Sequence, residues 1–135
     1  LGSSAQTTWR LSEGLADAGW SATAVDLRGH GDAPRASRYR IEDFAGDLLG
    51  TRPDDDGAWQ LVVGHSIGAA AAAQAAGTDD GWAERLVLLD PALALDATAR
   101  QAVLDGQLAN FDAATVASIA EQFPHWHPLD VEFRV

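Results

Sequence analysis

The sequence predicts an α/β fold in which a mostly parallel sheet is flanked by helices. Two observations carry that reading. Gln60 to Val63 and Arg85 to Leu89 are short, apolar through their interiors and partly β-branched, and the alanine-rich segment Ile67 to Ala76 between them has the composition of a helix, giving β, α, β in order. Strands without polar alternation are buried on both faces, as in a parallel sheet covered by helices.

The remaining elements follow from spacing and punctuation. Residues 5–18 carry Trp9, Leu11, Leu15 and Ala18 at mostly helical spacing, with Ser3 or Ser4 as N-cap and Gly19 as the stop. "WSATAVDL" (Trp20 to Leu27) reads as a strand running into the glycine-bearing loop "RGHGDAP". Tyr39 to Gly50 puts Ile41, Phe44, Ala45, Leu48 and Leu49 on one face of a helix, and "TRPDDDG" (Thr51 to Gly57) is a solvated acidic turn. Beyond Pro91 the pattern turns helical, with a helix over Asp112 to Phe123 capped by Asp112, ending at "PHWHP".

Composition narrows the function classes. The chain has 135 residues, 47% of them apolar, which suffices for one packed domain of soluble type. Twenty acidic residues against nine basic ones, all arginine, give a formal charge of -11, which argues against a nucleic-acid backbone or an anionic membrane surface as partner and favours a small neutral or apolar substrate. The absence of cysteine excludes disulfides, thiolate metal sites and a cysteine nucleophile. No apolar run approaches the roughly 18 residues of a membrane helix, and no charged segment precedes an apolar one at the start. The chain opens at "LGSSAQTTW" without a methionine, as though its true beginning were missing, so the expected location is cytoplasmic only by default. Oligomeric state is not legible in the composition.

Chemistry concentrates in "GHSIG", Gly64 to Gly68. A strand here must turn sharply into a helix, and the glycines two positions either side of Ser66 leave room for backbone to approach. In that context G-x-S-x-G is a nucleophile elbow, which presents the serine hydroxyl at the carboxyl end of the sheet. The Ile67 N–H, at the helix N-terminus, is placed to stabilise an oxyanion. The alternative is a serine that merely caps a tight βα turn.

Together with "LGSSAQTTW", "VDLRGHGDAP" and "RLVLLDPA", the stretch "LVVGHSIGAA" makes the chain resemble the α/β-hydrolase fold superfamily, in the branch of cofactor-free esterases, lactonases and haloperoxidase-like hydrolases. The resemblance implies a partial hydrolase core with its elbow over residues 1–95 and part of a helical cap over 96–135. It implies an oxyanion hole made by the N–H groups of Leu1 and Ile67, catalysis by Ser66, and no metal or cofactor. It also implies that Arg28, His30 and the glycines near them hold loop geometry. His65 points away from the nucleophile and packs beside the elbow.

Activating the serine takes a histidine base oriented by a carboxylate, in the chain order serine, acid, histidine. Downstream of Ser66 the histidines are His125 and His127, which in an extended segment would face one side; they read as cap residues, and two histidines alone make a poor metal site. Asp90, at the end of a strand, is a minor candidate acid, although in most family members with a "LLDP" segment the acid comes one strand later. Asp26 reads as structural. The chain is therefore expected to be the central piece of a hydrolase roughly twice as long, marginal and inactive alone, with acid and base beyond Val135. The expected activity is hydrolysis of a small ester, lactone or related acyl compound through an acyl-enzyme on Ser66. The alternatives are a ligand-binding protein or receptor on the same scaffold and an inactive truncated chain.

Overall fold

A computed structural model describes residues 3–92, 96–111 and 114–134. The chain divides into two compact units, one made of Leu1–Ala33 with Asp96–Val135 and the other of Pro34–Leu95.

Within the second unit, helix α2 (Ile41–Leu49), strand β1 (Val62–His65), helix α3 (Ile67–Thr78) and strand β2 (Leu86–Leu89) follow one another. The strands pair in parallel with Val62 opposite Leu86 and His65 opposite Leu89, as the apolar segments predicted. Pairing starts earlier as an isolated bridge between Trp59 and Ala83. Alanine makes the packing possible. Ala69, Ala71 and Ala75 are fully buried, and with no side chain beyond Cβ they let α3 lie close against both the sheet and α2. Trp82 fills the core beside Ala45, Ala72 and Ala75. Its indole N–H donates to the Leu48 carbonyl at 3.1 Å, so the largest core side chain leaves no polar atom stranded.

The buried Asp43 is the one polar member of this interior among the described residues. Its carboxylate accepts from Arg38 Nε at 2.9 Å and from the Arg40 N–H at 3.0 Å, which ties off the first turn of α2. The acidic turn behaves as expected: the Asp55 carboxylate accepts from the Gly57 N–H at 3.0 Å, Asp56 takes φ +57°, and all three aspartates are exposed.

Burial of the strands on both faces is not met. In β2 the outward side chains of Val87 and Leu89 are exposed while Leu86 and Leu88 face the core. The described sheet has two strands and α3 covers one of its faces, so the pleat sorts alternate side chains to a packed and an open side.

The first unit starts with a 3-10 turn (Ala5–Thr8) leading into α1 (Trp9–Asp17). Neither serine side chain caps it as expected. Ser4 instead offers its carbonyl to the Thr7 N–H at 3.0 Å and the Thr7 hydroxyl at 2.7 Å. Gly19 does stop the helix: at φ +86° it donates to the Ala16 carbonyl while the Trp20 N–H reaches the Leu15 carbonyl, the paired bonds of a Schellman termination. Trp20 to Leu27 forms no strand, because no described strand pairs with it, and an extended segment is held only by a ladder.

Further on, α4 (Ala97–Phe111), α5 (Val116–Gln122) and α6 (Pro128–Glu132) are helical as the composition predicted. The cap of α5 is Thr115, three residues past the expected Asp112, which lies outside the described residues. The Thr115 hydroxyl accepts from the Ser118 N–H and the Ser118 hydroxyl accepts from the Thr115 N–H, a reciprocal box. Among the described residues no helix is long and apolar enough to cross a membrane.

Candidate active site

Ser66 stands between the last residue of β1 and the first of α3 with φ +52° and ψ −118°. For a residue with a Cβ this is strained backbone, the geometry that the first central position of a type II′ turn ordinarily gives to glycine. It is held from both sides. The Ser66 N–H donates to the Leu89 carbonyl at 2.9 Å, continuing the ladder one residue past β1, and the Ser66 carbonyl accepts from Ala69 at 3.1 Å and Ala70 at 3.2 Å. The side chain makes no capping bond to α3. The cap reading therefore fails on geometry: the hydroxyl is left unused by the helix that it precedes.

Gly64 is needed for this turn. A β-carbon there would lie 2.7 Å from Ala69 Cα and 2.8 Å from the Gly68 carbonyl oxygen, so only glycine lets the helix fold back on the strand end. Gly68 differs, since a β-carbon there would meet nothing within 4 Å. Of the two glycines flanking the serine, one is required by close approach. Helical bonding begins with the Ala69 and Ala70 amides, so the Ile67 and Gly68 amides belong to the first-turn donors that an α-helix leaves without an intrahelical partner. With the helix dipole they make the mouth of α3 a place for developing negative charge. Leu1, the other expected donor, lies outside the described residues.

The model of the alpha/beta hydrolase family matches residues 1–134. The chain belongs to the alpha/beta hydrolase family. Lipase LipV of Mycobacterium tuberculosis is 38% identical to it over 89 residues, 66% of this chain and 34% of the lipase. A solved structure, that of a marine microorganism esterase, aligns with a TM-score of 0.72 at 20% identity and covers 98% of this chain and 55% of the esterase. The chain thus spans about a third of the lipase and about half of the esterase. The likeness to the esterase establishes the fold, which is the one expected.

In this alpha/beta hydrolase chain the other candidates sit as follows. Asp26 is structural: its carboxylate accepts from the Ala5 N–H at 2.6 Å and the Asp32 N–H at 3.0 Å, pinning the start of the chain and the glycine loop to one anchor. His30 stays in that loop, with Nδ1 3.1 Å from the Arg28 carbonyl. His65 is exposed rather than packed. His125 and His127 do not share a face of an extended segment, because "PHWH" is a turn in which Trp126 donates to the Phe123 carbonyl and stacks on the Phe123 ring at 4.2 Å. His127 caps α6, with Nδ1 accepting from the Leu129 N–H at 3.2 Å. That bond puts the proton of the neutral ring on Nε2, whereas a base serving a serine needs a free Nε2 lone pair and a proton on Nδ1. The described residues hold no cluster of three or more metal-ligating side chains.

Asp90 is exposed and follows β2 with φ +46°. The Asp-Pro pair marks a turn after β2 but does not signal the left-handed backbone at Asp90.

Proposed function

We propose that Ser66 is the nucleophile of a serine hydrolase that acts on a small neutral or apolar ester, lactone or related acyl substrate. The observation that carries the reading is the strained backbone of Ser66 combined with a hydroxyl the following helix does not use. Strain of this kind persists where surrounding structure enforces it, and it costs stability without return unless the uncommitted hydroxyl is employed. Membership of the alpha/beta hydrolase family, and relatives whose names are those of a lipase and an esterase, support the ester class.

In this mechanism the Ser66 oxygen attacks the acyl carbon, a histidine accepts its proton, and the Ile67 N–H stabilises the oxyanion, with the Leu1 N–H as second donor. The intermediate collapses by expelling the alcohol, and water then hydrolyses the acyl-enzyme. The His127 hydrogen bond disfavours that residue as the base. No step uses a metal or cofactor. The test, run on the intact protein, is a mass measurement after exposure to a fluorophosphonate probe, with Ser66→Ala as control. A single adduct that the substitution abolishes is the expected result. An adduct that survives in Ser66→Ala overturns the assignment, and no adduct at all points to a binding protein on the same scaffold.

A further inference from the structure

Ser66 is held by a short segment that the proposed mechanism does not otherwise use. Leu89 accepts from its N–H at 2.9 Å, and the Ala92 N–H lies 3.4 Å from its carbonyl oxygen. The segment Leu89–Asp90–Pro91–Ala92 therefore reaches both flanks of the serine. It can do so only by reversing direction at Asp90, where φ is +46°. Residues with a Cβ seldom adopt such backbone, and a following proline ordinarily drives its predecessor to extended geometry at negative φ. Aspartate is among the few residues that tolerate it. The pairing of β2 does not need such a bend, since β2 has already ended at Leu89.

We infer that Asp90 is a positioning residue, whose left-handed backbone carries the Leu89 carbonyl and the Ala92 amide around Ser66 and so fixes the orientation of its hydroxyl. The inference rests on Ser66 being the reacting residue. It assigns the requirement to the backbone of Asp90 and not to its carboxylate, which separates it from a role as catalytic acid.

A second aspartate supplies the control. Asp56 also has positive φ, +57°, in the exposed acidic turn of the same unit. Valine, being β-branched, strains either position, whereas glycine and asparagine accommodate both. In the intact protein the rate of fluorophosphonate addition at Ser66 is measured for Asp90→Val, Asp90→Asn, Asp90→Gly and Asp56→Val, together with exchange of the Ser66 amide proton. We expect Asp90→Val to label about ten- to a hundredfold more slowly, the scale of loss from a small misplacement of a reacting group. Asn and Gly at position 90 should recover most of the rate, and Asp56→Val should label like the parent. The Ser66 amide should exchange faster in Asp90→Val while amides in the middle of α3 stay protected.

Equal slowing in Asp90→Val and Asp56→Val would overturn the inference, since it would reflect general destabilisation. Failure of both Asn and Gly to recover the rate would also overturn it, by assigning the need to the carboxylate. If the parent itself takes no adduct at Ser66, the nucleophile assignment falls, and amide exchange decides this inference separately: unchanged exchange in Asp90→Val rejects the backbone clamp.

Discussion

Gly64 and Ala69 approach so closely that a β-carbon on the glycine would lie 2.7 Å from the Ala69 Cα. The approach is between backbone atoms, one in the next-to-last residue of β1 and one in the first turn of α3, so neither can swing aside as a side-chain tip could. Gly64→Ala is expected to cost about 1–3 kcal/mol through overpacking, and to disturb the turn at Ser66. Gly68→Ala meets open space and should gain up to about 1 kcal/mol from the better helix former. Urea unfolding of the two variants checks the contrast. Equal stabilities would mean that the strand end and the helix are not held at this distance.

Asp26 and Gly31 also approach closely, here through a side chain. A β-carbon on Gly31, which has φ +49°, would fall within 2.4 Å of the Asp26 carboxylate carbon, and that carboxylate also accepts from Ala5 and Asp32. Asp26→Ala should lower stability by about 1–3 kcal/mol by leaving two amides without their acceptor. It should also expose the loop at Gly29 to Asp32 to proteolysis, and digestion at the parent's rate would argue that the loop has another anchor.

These contacts bear on what the sequence could reveal. The β, α, β order, the parallel pairing and the turn at Ser66 were legible because each is encoded locally, by apolar runs, by a helix-forming alanine tract and by small residues at fixed offsets. Trp20 to Leu27 was misread because a strand is a property of its neighbours: the residues have the right composition, but no described partner offers a ladder. The open side of β2 was missed for the same reason, since burial at Val87 and Leu89 depends on what covers them. Thr115 displaced Asp112 as a cap because helix starts are among the weakest local signals. The roles of Asp90 and His127 were hidden in backbone geometry, a positive φ in one case and the direction of an amide in the other.

Trp9 links α1 to α6 through its indole, which donates to the Asp130 carboxylate at 2.8 Å and packs against the His127 ring at 5.2 Å. Arg10 meets the same carboxylate at 3.2 Å. Trp9→Phe keeps the ring contact and loses the hydrogen bond, so it should cost about 1 kcal/mol, less than Trp9→Ala, which loses both. Thermal melts of the two variants test the order, and equal losses would assign the link to the bond alone.

Arg52 and Asp79 give a pH dependence whose sign follows from the ion pair. The Arg52 side chain, and after it the Gly81 N–H, hold the Asp79 carboxyl below its ordinary value of 3.8. A lowered folded value means that the stabilisation is fully present above that ordinary value and is lost as pH falls through the lowered one. The pair lies at the surface, so the effect is small and screened by salt. Arg52→Gln should lower the melting temperature slightly at neutral pH, with the difference from the parent closing as acidification carries the Asp79 carboxyl through its lowered value. A difference that is constant with pH would mean that Arg52 acts by packing instead.

Ser66 offers a direct measure of what the proposed activity costs the fold. At φ +52° and ψ −118° its Cβ, not its hydroxyl, is the source of strain. Ser66→Ala keeps that carbon and removes a hydroxyl that makes no capping bond, so stability should change little. Ser66→Gly removes the carbon. Relief of strain is worth about 1–3 kcal/mol, while the added freedom of glycine in the unfolded chain costs up to about 1 kcal/mol, leaving a net gain of about 1 kcal/mol. Urea unfolding of both variants isolates the Cβ term, because both lack the hydroxyl. Glycine being the more stable, with neither variant labelled by the fluorophosphonate, would identify position 66 as one where a nucleophile is retained against the preference of the backbone. Glycine being the less stable by about 1 kcal/mol, the full cost of its freedom in the unfolded chain, would mean the turn carries no strain, and would remove the main argument that the serine is there to react.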